Sequence, residues 1–119
     1  QVKDNLKTYQ DFKPLSEAEY QAVDQVVKEL NSRAKNGCTG CEYCLPCPAG
    51  VDIPRNFSIW NGYGIYSNVG ETKWRWGQDM KEEAKAKNCV ECGQCEGLYP
   101  QNLTIIEDLK KLQEELDSL

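Results

Sequence analysis

Six cysteines stand in two runs of one form, Cys38-x2-Cys41-x2-Cys44 and Cys89-x2-Cys92-x2-Cys95, and a seventh, Cys47, follows the first run directly before Pro48. Thiolates at two-residue intervals suit an inorganic core, because each intervening pair lets the backbone turn around one corner of an iron–sulfur cube. In bacterial two-cluster sequences the cysteine before proline turns away from its own run and ligates the other cluster. Cys47 is therefore grouped with Cys89, Cys92 and Cys95 around one [4Fe-4S] cluster, and Cys38, Cys41 and Cys44 are assigned to a second. The rival reading is structural zinc in four-cysteine sites. Zinc sites pair two C-x2-C knuckles or add histidine. Here each run has a third cysteine at the same spacing and the chain has no histidine. Iron–sulfur is the stronger reading.

The second run breaks the pattern. A fourth cysteine belongs at position 99, and Tyr99 stands there before Pro100. Four outcomes follow for the cluster on Cys38, Cys41 and Cys44: a three-iron form, an iron left open to water or another oxygen ligand, a phenolate ligand, or no cluster. An open iron is a Lewis acid in principle. No acid–base partner lies nearby in sequence, so no catalytic residue is assigned.

Chemistry of this kind needs a casing. The 119 residues suffice for one domain, or a small domain with an appended helix. With 39% apolar residues and a mean hydropathy of −0.69, the core is modest. Inorganic cross-links are expected to supply part of the folding free energy. The formal charge of −5, made more negative by thiolate-bound clusters, argues against nucleic acid as a partner. No apolar stretch approaches the ~18 residues of a membrane span, and no export signal opens the chain. An odd cysteine count argues against a disulfide framework, so a cytoplasmic location is expected. The chain opens at Gln1 and its only methionine is Met80, which reads as a piece of a longer polypeptide.

An all-α fold is expected, with two cysteine loops between helices. Residues 1–15 read as an irregular tail, and residues 16–119 as the helical domain. Ser16 and Glu19 form a capping box, followed by an apolar stripe of Tyr20, Val23, Val27, Leu30 and Ala34. Gly37 is expected to close that helix in the left-handed conformation. Asp52 and Pro54 open a helix reaching Ser67, with a turn near 68–70 and a second helix over 71–87. Thr104 and Glu107 read as a further capping box, before a stripe of Ile105, Leu109, Leu112, Leu116 and Leu119. The apolar stripes of the first and last helices are expected to pack on each other or on a body outside the chain. No segment alternates long enough to make a strand.

Between the runs, Phe57, Trp60, Tyr63, Tyr66, Trp74 and Trp76 read as core, with shielding of the clusters as a compatible role. Lys73, Arg75, Lys81, Lys85 and Lys87, mixed with acids, read as a solvated face. So do the acids Glu107, Asp108, Glu114, Glu115 and Asp117 of the last helix.

Cys38-Thr39-Gly40-Cys41-Glu42-Tyr43-Cys44-Leu45-Pro46-Cys47-Pro48, with the following Ala49 to Pro54, Asn88 to Cys95 and Pro100-Gln101, resembles the C-terminal extension of iron–sulfur-containing bacterial aldo/keto reductases. Pro14 to Glu19 looks like the stretch that closes their barrel. The resemblance implies a helical ferredoxin-like domain with two [4Fe-4S] clusters behind a nicotinamide-dependent barrel. None of that barrel's catalytic residues maps onto this chain. It further implies electron transfer between the reductase barrel and a ferredoxin or flavoprotein, with no enzyme activity in these residues alone. The alternative is an interaction domain that clusters or zinc merely staple. Tyr99 is the departure from the family pattern.

Overall fold

The computed structural model describes residues 1–10, 12–98 and 103–119, which form helices and loops without a strand. The chain divides into two compact units, Gln1–Asn31 and Ser32–Leu119.

The first unit opens with α1, Val2–Gln10, where the sequence reading expects an irregular tail. Its Leu6 and Tyr9 are exposed, so the helix does not follow from burial of an apolar stripe. Helix α2, Glu17–Arg33, begins as read. The Ser16 amide and hydroxyl both donate to Glu19 Oε2 at 2.7 Å, and the Glu19 amide returns a bond to Ser16 Oγ at 3.4 Å. Tyr20, Val23, Val27 and Leu30 form the expected stripe but are all exposed. Helix α2 stops at Arg33, and Gly37 is not left-handed. Gly37 is therefore not the helix stop that its position suggests.

The second unit holds the core. Helix α3, Ile53–Tyr66, starts where Asp52 accepts a bond from the Arg55 amide at 3.1 Å, and it ends on left-handed Ser67 (φ 52°). Asn68 then caps α4, Val69–Trp74, by accepting from the Glu71 amide at 3.1 Å. The long helix expected over 71–87 does not form. A π turn over Arg75–Asp79 follows α4, Met80 is extended, and two 3-10 turns, Glu82–Ala84 and Ala86–Asn88, complete the approach to Cys89. Tertiary hydrogen bonds override helix propensity here. The Ala84 carbonyl accepts from the Asp52 amide at 3.0 Å, and the Ala86 amide donates to Asn56 Oδ1 at 3.0 Å. A continuous helix would consume those groups internally.

After the short α5, Gln94–Leu98, helix α6 runs over Ile105–Asp117. Ile105, Leu109, Leu112 and Leu116 are buried, and α6 packs on α3 beside Ile53, Phe57, Ile59 and Trp60. The stripe of α6 thus finds its partner inside its own unit. Thr104 sits at the cap position but its side chain bonds no amide. Glu107 pairs with Lys111 instead, and the free amide of Ile106 is taken by Glu96 of α5 at 3.0 Å. The acidic face of α6 is likewise not wholly solvated. Glu115 accepts the Trp60 indole N–H at 2.7 Å and Asp117 that of Trp76 at 2.9 Å. Of the aromatics read as core, Phe57, Trp60 and Trp76 are buried, Tyr63 is half-buried, and Tyr66 and Trp74 are exposed. Lys85, read as solvated, is buried against the Trp76 ring and paired with Glu82.

Gly64 shows how closely residues 33–35, at the start of the second unit, cross α3. A Cβ there would stand 2.3 Å from the Arg33 carbonyl oxygen and 2.9 Å from Lys35 Cγ. The nearer obstacle is backbone, which cannot rotate away. Gly64→Ala is expected to cost about 1–3 kcal/mol, the usual penalty of overpacking. Urea unfolding against wild type measures it. An unchanged midpoint would show that the 33–35 segment does not rest on α3.

Candidate metal centre

Both cysteine loops are built on one backbone plan. The second residue after the first cysteine is left-handed in each, Gly40 (φ 71°) and Glu91 (φ 56°). The residue directly after the second cysteine is left-handed in each as well, Glu42 (φ 64°) and Gly93 (φ 75°). Burial repeats too. Cys41 and Cys92 are exposed, Cys38 and Cys89 half-buried, and Cys44 and Cys95 buried. The second loop runs into α5 at Gln94 and the first has no such helix, yet the two present their thiols in the same order.

The left-handed glutamates carry a cost of roughly 1–2 kcal/mol each that glycine avoids. Glu42→Gly is expected to gain about 0.5–1 kcal/mol, the added freedom of the unfolded chain offsetting part of the relief. Glu91→Gly should gain less, because Glu91 also pairs with Lys110 at 2.8 Å across an exposed surface. Urea unfolding of cluster-loaded protein tests the order, and a loss of stability in Glu42→Gly would refute the strain.

Side chains that carry no sulfur position the loops. Asn36 Oδ1 accepts the Cys38 amide at 2.8 Å, and Asn36 Nδ2 donates to Asp108 on α6. Asn61 of α3 accepts the amides of Lys35 and Asn36, both at 2.9 Å, and donates to the Asn36 carbonyl at 2.9 Å. The first loop is thereby tied to both main helices. The second loop hangs on Asn56, which is wholly buried. Its amide group donates to the carbonyls of Asp52 at 2.7 Å and Ala84 at 2.9 Å, while its oxygen accepts from Ala86. The turn that follows ends in a bond from the Cys89 amide to the Ala86 carbonyl at 2.9 Å. Sequence reasoning missed all three asparagines. Their only local signal is polarity, which in a short chain reads as surface.

Cys47 and Pro48 line one cavity with Cys89, Cys92 and Cys95. Cys44 lines it as well, and Val51, Ile53, Ile106 and Leu109 wall it. The walls are aliphatic, so the shielding assigned to the aromatic block falls to these residues. Cys38 and Gly40 border a separate groove against α3. The Gly40 amide donates to Cys38 Sγ at 3.4 Å. Tyr99, Pro100 and Gln101 lie outside the described residues.

Burial pushes the Cys44 thiol up to about 11, and the neighbouring Cys38, Cys95 and Cys41 thiols add to the shift. Burial also raises Cys95, partly offset by a bond from the Glu96 amide. Metal-free, both stay protonated at neutral pH, so a metal that binds thiolate must expel those protons.

Among the described residues, no three Cys, Asp or Glu side chains stand close enough to hold one metal ion. A soft, all-cysteine donor set in an aliphatic cavity fits iron–sulfur.

These features define a helical domain with two thiolate loops of matching backbone. The 4Fe-4S dicluster domain model matches residues 37–103, and the chain belongs to that family of iron–sulfur domains. No curated protein and no solved structure matches the chain. No helix among the described residues is long and apolar enough to cross a membrane.

Proposed function

We propose that the chain relays single electrons through two clusters, one held by Cys47, Cys89, Cys92 and Cys95 and one by Cys38, Cys41 and Cys44. The observation that carries the reading is the meeting of Cys47 with the second run in one aliphatic cavity. When bound, such clusters take up and release one electron with little rearrangement. The residues supply the rest. Val51, Ile53, Ile106 and Leu109 keep water from the thiolates, which sets local dielectric and hence potential. The Gly40 amide places a donor on Cys38 sulfur. Exposed Cys41 and Cys92 are the edges at which electrons enter and leave.

In the fuller form of the reading, the domain follows an aldo/keto reductase-like barrel in the cytoplasm. Residues 1–15 are then the end of that barrel, and the domain links its hydride chemistry to a ferredoxin or flavoprotein. The sequence resemblance supports this form. Tyr99 leaves the first cluster one cysteine short.

Redox titration of anaerobically loaded protein, followed by electron paramagnetic resonance, tests the relay. Reversible one-electron reduction supports it, and a redox-silent centre that only stabilises the fold overturns it. Iron and sulfide counts on Tyr99→Cys then define the first cluster. A gain of about one iron marks an open three-iron site, and a gain of about four an empty one. No gain means that another ligand completes it or that the fourth position lies elsewhere.

A further inference from the structure

A second concave site borders the first cysteine loop. It is a groove of about 420 Å³, in the range of small-molecule sites. Cys38, Thr39 and Gly40 form one wall. The other comes from α3 and the π turn, with Pro54, Ser58, Gly62, Ile65, Tyr66 and Arg75.

Arg75 is the unusual member. Lys35, Arg55, Lys85, Lys87, Lys110 and Lys111 each pair with a carboxylate, and Lys73 and Lys81, which show no such pair, are exposed. Arg75 is half-buried, and among the described residues its side chain meets only the Ser58 hydroxyl, at a long 3.4 Å. A guanidinium offers five N–H donors in a flat fork matched to a carboxylate or phosphate. Arg75 lines the groove, and among the described residues most of that capacity has no protein partner.

The backbone helps to present it. Arg75 opens the π turn, where the Met80 amide reaches back to the Arg75 carbonyl at 3.0 Å. Single π turns of this kind gather at functional sites. Across the groove Gly62 leaves room, since a Cβ there would lie 3.6 Å from Arg75 Nη1. Pro54, Ile65 and Tyr66 add apolar surface beside the cation.

We propose that this groove binds a small organic carboxylate, its oxygens on the Arg75 fork with the Ser58 hydroxyl as an added donor, and its apolar body on Pro54, Ile65 and Tyr66. The site adjoins the loop of Cys38 but does not require the cluster assignment, so it stands or falls separately from the relay. Its ligand class follows from a bidentate cation set beside apolar surface rather than in a polar bowl. A bare phosphate satisfies the first feature only.

Benzoate is the probe, titrated into the cluster-loaded chain and followed by saturation-transfer NMR on the ligand. Saturable binding is expected, tighter than that of inorganic phosphate measured by competition. Arg75→Gln should weaken it at least tenfold, and Ser58→Ala by twofold to fivefold. Gly62→Glu keeps the arginine but plants a carboxylate beside it, and should abolish binding while the helical circular dichroism stays unchanged. Benzoate binding that survives both Arg75→Gln and Gly62→Glu would overturn the proposal. So would phosphate binding as tightly as benzoate. A cluster potential that moves in Arg75→Gln without any change in benzoate affinity would do the same, by assigning the cation to the cluster.

Discussion

Cys47→Ser is expected to strip the iron associated with the second run, about four atoms per chain, and to leave the iron on Cys38, Cys41 and Cys44 in place. Cys47, with Cys44 beside it, lines the cavity of Cys89, Cys92 and Cys95, and Pro48 directly after Cys47 is the crossover signature. Serine offers an alcohol that ionises far less readily than a thiol and suits soft iron poorly. Cys38→Ser is the contrast: Cys38 does not line that cavity, so its loss should damage only the first cluster. Iron and sulfide counts with visible absorbance on anaerobic protein distinguish the two. Loss confined to the first cluster in Cys47→Ser would refute the crossover. The effect extends to stability, since metal bound only by the folded chain adds its binding energy to folding.

The parts of this structure legible in the sequence are those whose signal is local. The cysteine spacing, the Ser16–Glu19 box, the Asp52 cap and the stripe of α6 each announce themselves within a few residues, and each is found. What escaped reading depends on distant partners. The helix expected over 71–87 has a fair local pattern, but the Asp52 amide and the Asn56 side chain claim the backbone of Ala84 and Ala86. The Thr104–Glu107 box fails because Glu107 turns to Lys111 and Glu96 takes the free amide. Glu115 and Asp117 look like solvated acids until two buried indoles require acceptors. A small chain buries little apolar area, so its few buried polar contacts decide the path of the backbone. Those contacts have no periodicity to read.

Asn56 concentrates that dependence, and its removal has the largest effect expected of any change outside the cysteines. Asn56→Ala leaves the Ala86 amide without a partner in a buried setting, while the Ala84 and Asp52 carbonyls keep their bonds from the Asp52 and Asn56 amides. One orphaned donor plus two lost bonds should cost about 2–4 kcal/mol, a large share of the 5–15 kcal/mol typical of a domain. Asn56→Asp should be worse at neutral pH. It retains the acceptor for Ala86 but turns a buried charge toward two carbonyl oxygens in place of two N–H donors. Burial raises the folded-state pKa of such a carboxyl above its unfolded value. The penalty is therefore absent below the unfolded value and grows as pH rises through it. Urea unfolding at pH 4 and pH 7 reads this directly, with Asn56→Asp close to Asn56→Ala in acid and below it at neutrality. The damage should also be local. The 3-10 turn Ala86–Asn88 leads straight into Cys89, so chelator-driven bleaching should quicken for the second cluster before the first. Equal bleaching of both clusters would mean that Asn56 supports the fold at large rather than the second loop.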